Sequence, residues 1–154
     1  MITVHVAQHF QGVRLDRARL EKLVSAACGR FGVSDAAVSI GVVGNAEIGE
    51  LNRRFLNRDG CTDVLSFDLS DDSEPAGTRV FDLIVNAELA AREAERRGHS
   101  ARAELALYIV HGLLHNLGFD DATASQAGKM HDTEDEILRA LGYGAVYHSD
   151  RSAP

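Results

Sequence analysis

Ala101-Arg-Ala-Glu104-Leu-Ala-Leu-Tyr108-Ile-Val-His111-Gly-Leu-Leu-His115-Asn-Leu117 is apolar on almost every side of the helix that its pattern predicts. Leu105, Leu107, Ile109, Val110, Leu113, Leu114 and Leu117 cover several faces of it, so other elements must enclose this helix and it becomes the centre of the fold. Ser100 suits its N-cap, and Gly118 its stop.

Working outward, the preceding chain alternates between strand-like and helix-like patterns. Ile2 to Ala7 reads as a strand and Asp16 to Phe31 as an amphipathic helix. Ala37 to Val43 reads as a second strand, and Asn45 is placed to cap a helix through Leu56. Asp59-Gly60 then breaks the chain. Asp63 to Leu69 and Arg79 to Asn86 are two further strands, joined by a Pro-, Gly- and acid-rich loop over Ser70 to Gly77, so they can pair as a hairpin. Helices are expected over Ala87 to Arg97 and Ala124 to Ala140, on either side of the central one. The sum is an α+β fold, a mixed four-stranded sheet packed by about five helices, expected as a single domain over residues 1–154.

Composition narrows the function classes. With 154 residues, 45% hydrophobic and 25% charged, the chain has the make-up of an ordinary globular protein that needs no metal or disulfide as its main support. No apolar run approaches the ~20 residues that span a bilayer, and Met1 to Val6 alternates like a strand instead of forming a signal peptide, so the expected address is cytoplasmic with no membrane partner. Cys28 and Cys61 lack the spacing of a zinc knuckle and are expected to be reduced and structural. A net charge of −7 argues against broad electrostatic binding of nucleic acid. Arginines nevertheless cluster at 14, 17 and 19, at 53, 54 and 58, and at 92, 96, 97 and 102, most simply as solvated helix faces.

One stripe breaks the apolar pattern of the central helix. Glu104, Tyr108, His111 and His115 follow a 4, 3, 4 spacing that stacks side chains on a single face and sets the two imidazoles one turn apart. Burying two imidazoles without partners is costly, and a metal ligand role removes that cost. Two hydrogen-bonded core histidines are the plainer alternative. Gly118 can turn the chain back so that Asp120 or Asp121 faces the same metal, and three protein ligands with one open position is the arrangement of catalytic zinc. The Asp pair has a second possible task, capping the next helix near Thr123 and Ser125. Zinc proteases carry a Glu directly after the first helical His, where this chain has Gly112, so that general base is missing. Neither Ser66 nor Ser125 lies in a nucleophile-elbow context.

The run His111-Gly-Leu-Leu-His115-Asn-Leu-Gly118-Phe-Asp-Asp121 strongly resembles the hallmark of the YbeY family of bacterial endoribonucleases and rRNA maturation factors. Leu51-Asn-Arg-Arg-Phe-Leu-Asn-Arg-Asp-Gly-Cys-Thr-Asp-Val-Leu-Ser-Phe67 resembles the family's second block, and Phe81-Asp-Leu-Ile-Val85 the strand that follows. With Gly98-His-Ser100, Glu104 and Met130 through Leu138 in the same order, the likeness covers roughly residues 45 to 142. It implies an α+β fold, one zinc ion on three histidines, cleavage of single-stranded RNA, and a part in rRNA maturation and ribosome quality control with the small ribosomal subunit or its assembly factors as partner.

Carried over by position, the ligands are His111, His115 and, in place of the third histidine, Asp121. A carboxylate there lowers the formal charge of the metal site by one unit. Zinc ordinarily brings the pKa of its water from ~15.7 to about 7, and the extra negative charge predicts a higher value and slower hydrolysis near neutral pH. Where the family has an arginine after the aromatic residue, this chain has Leu56 after Phe55, so a phosphate contact is missing. Arg53 and Arg58 are the candidates to replace it, and Glu104 the candidate to orient a ligand. Asp120 and His131 are the other groups able to complete the metal site. The leading expectation is a zinc-dependent endoribonuclease. The two departures also allow a noncatalytic ribosome-associated factor that keeps the fold, and a metallohydrolase of another substrate is the third reading.

Overall fold

The computed structural model describes residues 1–71, 78–144 and 146–147. Its elements run β1 (Ile2–Gln8), α1 (Arg17–Arg30), β2 (Asp35–Val43), α2 (Asn45–Leu56), β3 (Val64–Asp68), β4 (Thr78–Asn86), α3 (Ala87–Arg97), α4 (Ala101–Asn116) and α5 (Ala124–Ala140). The four strands form one mixed sheet in the order β1-β2-β4-β3. β1, β2 and β4 run parallel, with Val4 beside Val38 and Val38 beside Phe81, and β3 closes the edge antiparallel to β4, Leu65 opposite Ile84. The α+β reading and the hairpin of the third and fourth strands hold. Of the loop expected between them, 72–77 lies outside the described residues.

Side chains alternate across a strand, so the sheet has two unlike faces. Val38, Ile40, Val42, Phe81, Leu83 and Val85 point to one side and merge with Leu23, Val24, Ile109, Val110, Leu113 and Leu114 in the main core. The helix α4 lies in this layer against β3, β4, α1, α3 and α5. Eleven of its sixteen residues are buried, as a helix apolar all round requires. Its approach to the sheet is close because Gly112 has no side chain: a Cβ there would stand 3.0 Å from Leu83 Cδ2 and from Val64 Cγ2. The other face carries a smaller cluster, Val43, Ile48 and Leu65, covered by α2.

Local chemistry fixes the helix ends. The side chains of Asp16, Asn86 and Ser100 accept backbone N–H groups at the starts of α1, α3 and α4, and Thr123 with Gln126 forms a capping box on α5. Two sequence expectations are corrected here. The cap of α2 is Gly44, and Asn45 is already helical: its N–H donates to Glu88 Oε1 (2.8 Å) and its Oδ1 accepts from Asn86 Nδ2 (2.7 Å), which ties α2 to the start of α3. The Asp pair does not cap α5. Asp120 Oδ1 instead accepts the N–H groups of Asp121 and Ala122 and shapes the turn before it.

The arginines divide in the same way. Arg97 is not part of a solvated face: its side chain is 10% exposed and binds Glu104 (3.2 Å) and the carbonyl oxygens of Val146 (2.7 Å) and Tyr147. Cys28 is a core residue, whereas Cys61 is exposed. Leu114 is fully buried at the centre of α4. Leu114→Ala is expected to cost about 2–5 kcal/mol of stability through lost burial and a residual cavity, read from urea unfolding; a loss under 1 kcal/mol would show that α4 is not the packing centre.

Candidate metal centre

The last turn of α4 and the turn that follows bring three donor atoms together. His111 Nε2 and His115 Nε2 are 3.1 Å apart, and Asp121 Oδ2 stands 3.8 Å from the first and 3.6 Å from the second. A tetrahedral zinc with bonds of about 2.0–2.1 Å separates its ligand atoms by about 3.3–3.4 Å, so the triangle fits such an ion with small adjustments. The imidazoles meet because they lie four residues apart on one face of α4. Asp121 joins them because Gly118 takes φ = +102° just beyond the helix and reverses the chain, a conformation that a side chain disfavours. Exposure rises from His111 (17%) through His115 (31%) to Asp121 (43%), so the centre opens to solvent on the aspartate side.

The buried side of the centre is held by a residue that sequence reasoning did not single out. Glu134 on α5 is fully buried, and its two oxygens take two rings: His111 Nδ1–H donates to Oε2 (2.6 Å) and His131 Nδ1–H donates to Oε1 (2.6 Å). The bond to His111 puts the proton on Nδ1 and leaves the Nε2 lone pair facing His115 and Asp121. Burial alone would lower the pKa of His111, but the hydrogen bond and charge of Glu134, with Asp63 and Asp121 behind it, outweigh burial and hold it above its ordinary value. His111, His131 and Glu134 are a second group whose donor atoms could hold a cation, and here their separations of 2.6 Å are those of hydrogen bonds. His131 in turn stacks flat on Tyr147, with ring centroids 3.5 Å apart.

A sequence signal for Glu134 existed. Met130, Glu134 and Leu138 are spaced by four on α5 and all three are fully buried, so a carboxylate interrupts an apolar stripe just as the histidines do on α4. Glu104, the sequence candidate for orienting a ligand, is buried but serves elsewhere, accepting from Arg97 and paired with His99 Nε2 at 2.5 Å. It also acts on Tyr108, whose hydroxyl pKa is raised by burial first and by this carboxylate next. Arg53 and Arg58, at the end of α2 and just beyond it, are exposed and make no ion pair among the described residues. Leu56 is 43% exposed.

Comparison with known proteins converges on one family. Residues 5–142 match the family model described as endoribonuclease YbeY. Proteins named endoribonuclease YbeY from Anaeromyxobacter sp. (strain Fw109-5), Bacillus licheniformis and Carboxydothermus hydrogenoformans are 36%, 37% and 42% identical. The matches cover 92%, 81% and 74% of this chain and 73%, 85% and 76% of theirs. The solution structure of TM1509 from Thermotoga maritima is similar in fold, with a TM-score of 0.58 at 23% identity over 100% of this chain and 98% of that one.

Two outcomes are expected from Glu134. Glu134→Gln should weaken metal binding about 10–100-fold, measured by competition with a chromophoric chelator; unchanged affinity would remove Glu134 from the centre. Because the pKa of His111 is raised on folding above 6.5, its ionic contact stabilises the metal-free protein fully below that pH and is lost as the pH climbs through the folded value. Thermal unfolding of metal-free protein between pH 5.5 and 8.5 should show that decline, and Glu134→Gln should flatten it.

Proposed function

The chain belongs to the endoribonuclease YbeY family, and from that membership we propose that it is a zinc-dependent endoribonuclease cleaving single-stranded RNA. One zinc ion is held by His111, His115 and Asp121. The reading extends to maturation of small-subunit rRNA and ribosome quality control in the cytoplasm, with the small ribosomal subunit or its assembly factors as partner. No helix among the described residues is long and apolar enough to cross a membrane.

The observation that carries the chemistry is the donor triangle at 3.1, 3.6 and 3.8 Å, open to solvent on one side. A zinc ion bound there supplies Lewis acidity toward a phosphoryl oxygen. The chain's own residues prepare the site for it. Glu134 keeps the proton of His111 on Nδ1, so Nε2 is available as a donor. Asp121 adds a negative charge at the solvent side, which strengthens cation binding and tempers the cation's acidity. In this reading Arg53 and Arg58, both exposed, hold phosphates of a strand laid over the end of α2.

The noncatalytic reading has a specific observation of its own: Leu56 offers an exposed apolar side chain where relatives of this type are expected to offer a guanidinium. Single-turnover cleavage of a single-stranded rRNA fragment separates the two. Zinc-loaded protein is expected to cut it and chelated protein to leave it intact; chelator-insensitive cutting, or none from the loaded protein, would sink the proposal. Asp121→Ala is expected to lower zinc occupancy sharply, measured by elemental analysis, and Asp121→His to raise the cleavage rate. Full occupancy in Asp121→Ala would pass the third ligand position to another group.

A further inference from the structure

The last turn of α2 and the residues after it, Arg53 to Gly60, form one continuous exposed stretch. Within it Phe55 is 58% exposed, more than the other exposed phenylalanine, Phe31, at 37%. Single exposed apolar residues are ordinary, but this ring is held in place. Phe67 on β3 meets it edge to face, with centroids 6.1 Å apart and planes at 68°, and Phe67 itself packs on the Val43, Ile48 and Leu65 cluster. An aromatic ring kept in water and braced from one side keeps its remaining face available.

Its surroundings are cationic in a chain whose net charge is −7. Arg53 and Arg58 make no ion pair among the described residues, and Arg54 reaches Glu50 only at 3.8 Å. The position relative to the metal centre is also defined. β3 is the edge strand, and Val64 and Ser66 on its inner face lie under Gly112 of α4. The carbonyl of Phe67 accepts from Asn116 Nδ2 at 3.4 Å, and Asn116 follows His115 directly. Phe67 points to the opposite face of that strand, so the aromatic pair and the imidazoles stand on either side of the same sheet edge.

An exposed aromatic face flanked by Arg53 and Arg58, which make no ion pair among the described residues, matches the chemistry of a single nucleic-acid strand, whose bases stack while its phosphates take the cations. A duplex does not offer that contact, because its base faces are already stacked. We propose that Phe55, braced by Phe67, is a stacking platform for one unpaired base of the RNA, with Arg53 and Arg58 on the adjoining phosphates. The inference rests on the RNA-cleaving reading above and adds to it a means of selecting single strands. The missing guanidinium at Leu56 leaves this base contact intact.

The chain contains no tryptophan, so Phe55→Trp introduces a single indole reporter. Titration of this variant, in chelator, with an unstructured 12-nucleotide RNA is expected to quench its fluorescence saturably, and the same RNA annealed to its complement to leave it unchanged. Phe55→Ala should weaken binding of the labelled single strand about 5- to 150-fold, the range of one lost base stack, and raise KM more than it lowers kcat. Far-UV circular dichroism should stay unchanged, since the side chain is exposed. Wild-type protein that binds the strand while Phe55→Ala binds it equally well would overturn the platform alone, as would equal quenching by the duplex. Wild-type protein that binds no single-stranded RNA would overturn the RNA reading and the platform with it.

Discussion

A carboxylate without access to water organises the centre of this protein. An ionised group as buried as Glu134 is tolerable only when its oxygens are satisfied, and here two imidazole N–H groups satisfy them. That requirement links α5 to α4, fixes the face that His111 turns outward, and orders His131 against Tyr147. Removing the carboxylate would leave two partly buried N–H donors to find new partners, so the network acts as a unit.

The same centre depends on two glycines with different tasks. Gly112 lets α4 settle onto β3 and β4 at a distance where a methyl group would crowd Leu83 and Val64, which seats the imidazole pair beside the edge strand. Gly118 supplies the positive φ that ends the helix and returns Asp121 to the pair it has just left. Between them, one helix end presents three donor atoms from a segment of eleven residues, His111 to Asp121.

Charge is distributed unevenly between the imidazole pair and the end of α2. Asp121 makes the face shared with His111 and His115 more negative, while Leu56 is an exposed apolar side chain among the arginines at the end of α2. The exposed arginines at 53, 54 and 58 and the braced ring of Phe55 lie where affinity for a strand can be recovered by stacking and by charges slightly farther out.

Much of the fold was legible in the residues because it rests on short-range rules. Alternation identified the strands, the spacing of leucines identified α4 as the buried helix, and Asp16, Asn86, Ser100 and Thr123 are residue types whose side chains satisfy helix starts. The i, i+4 relation alone put His111 and His115 on one face. The error at Asn45 has the opposite origin: its own chemistry suits a cap, but partners 41 and 43 residues away, Asn86 and Glu88, claim its groups.

The sequence by itself therefore determined the elements and the imidazole pair, since those follow from periodicity and neighbours along the chain. Only the tertiary structure decided which carboxylate serves which histidine. Glu104 shares a helix with His111 yet turns to Arg97 and His99, while Glu134 reaches it from 23 residues away, because α5 packs its buried stripe against α4. Proton position, ring orientation and the pKa of His111 all follow from that contact, and contacts between helices distant in sequence are set by packing, which no local pattern encodes.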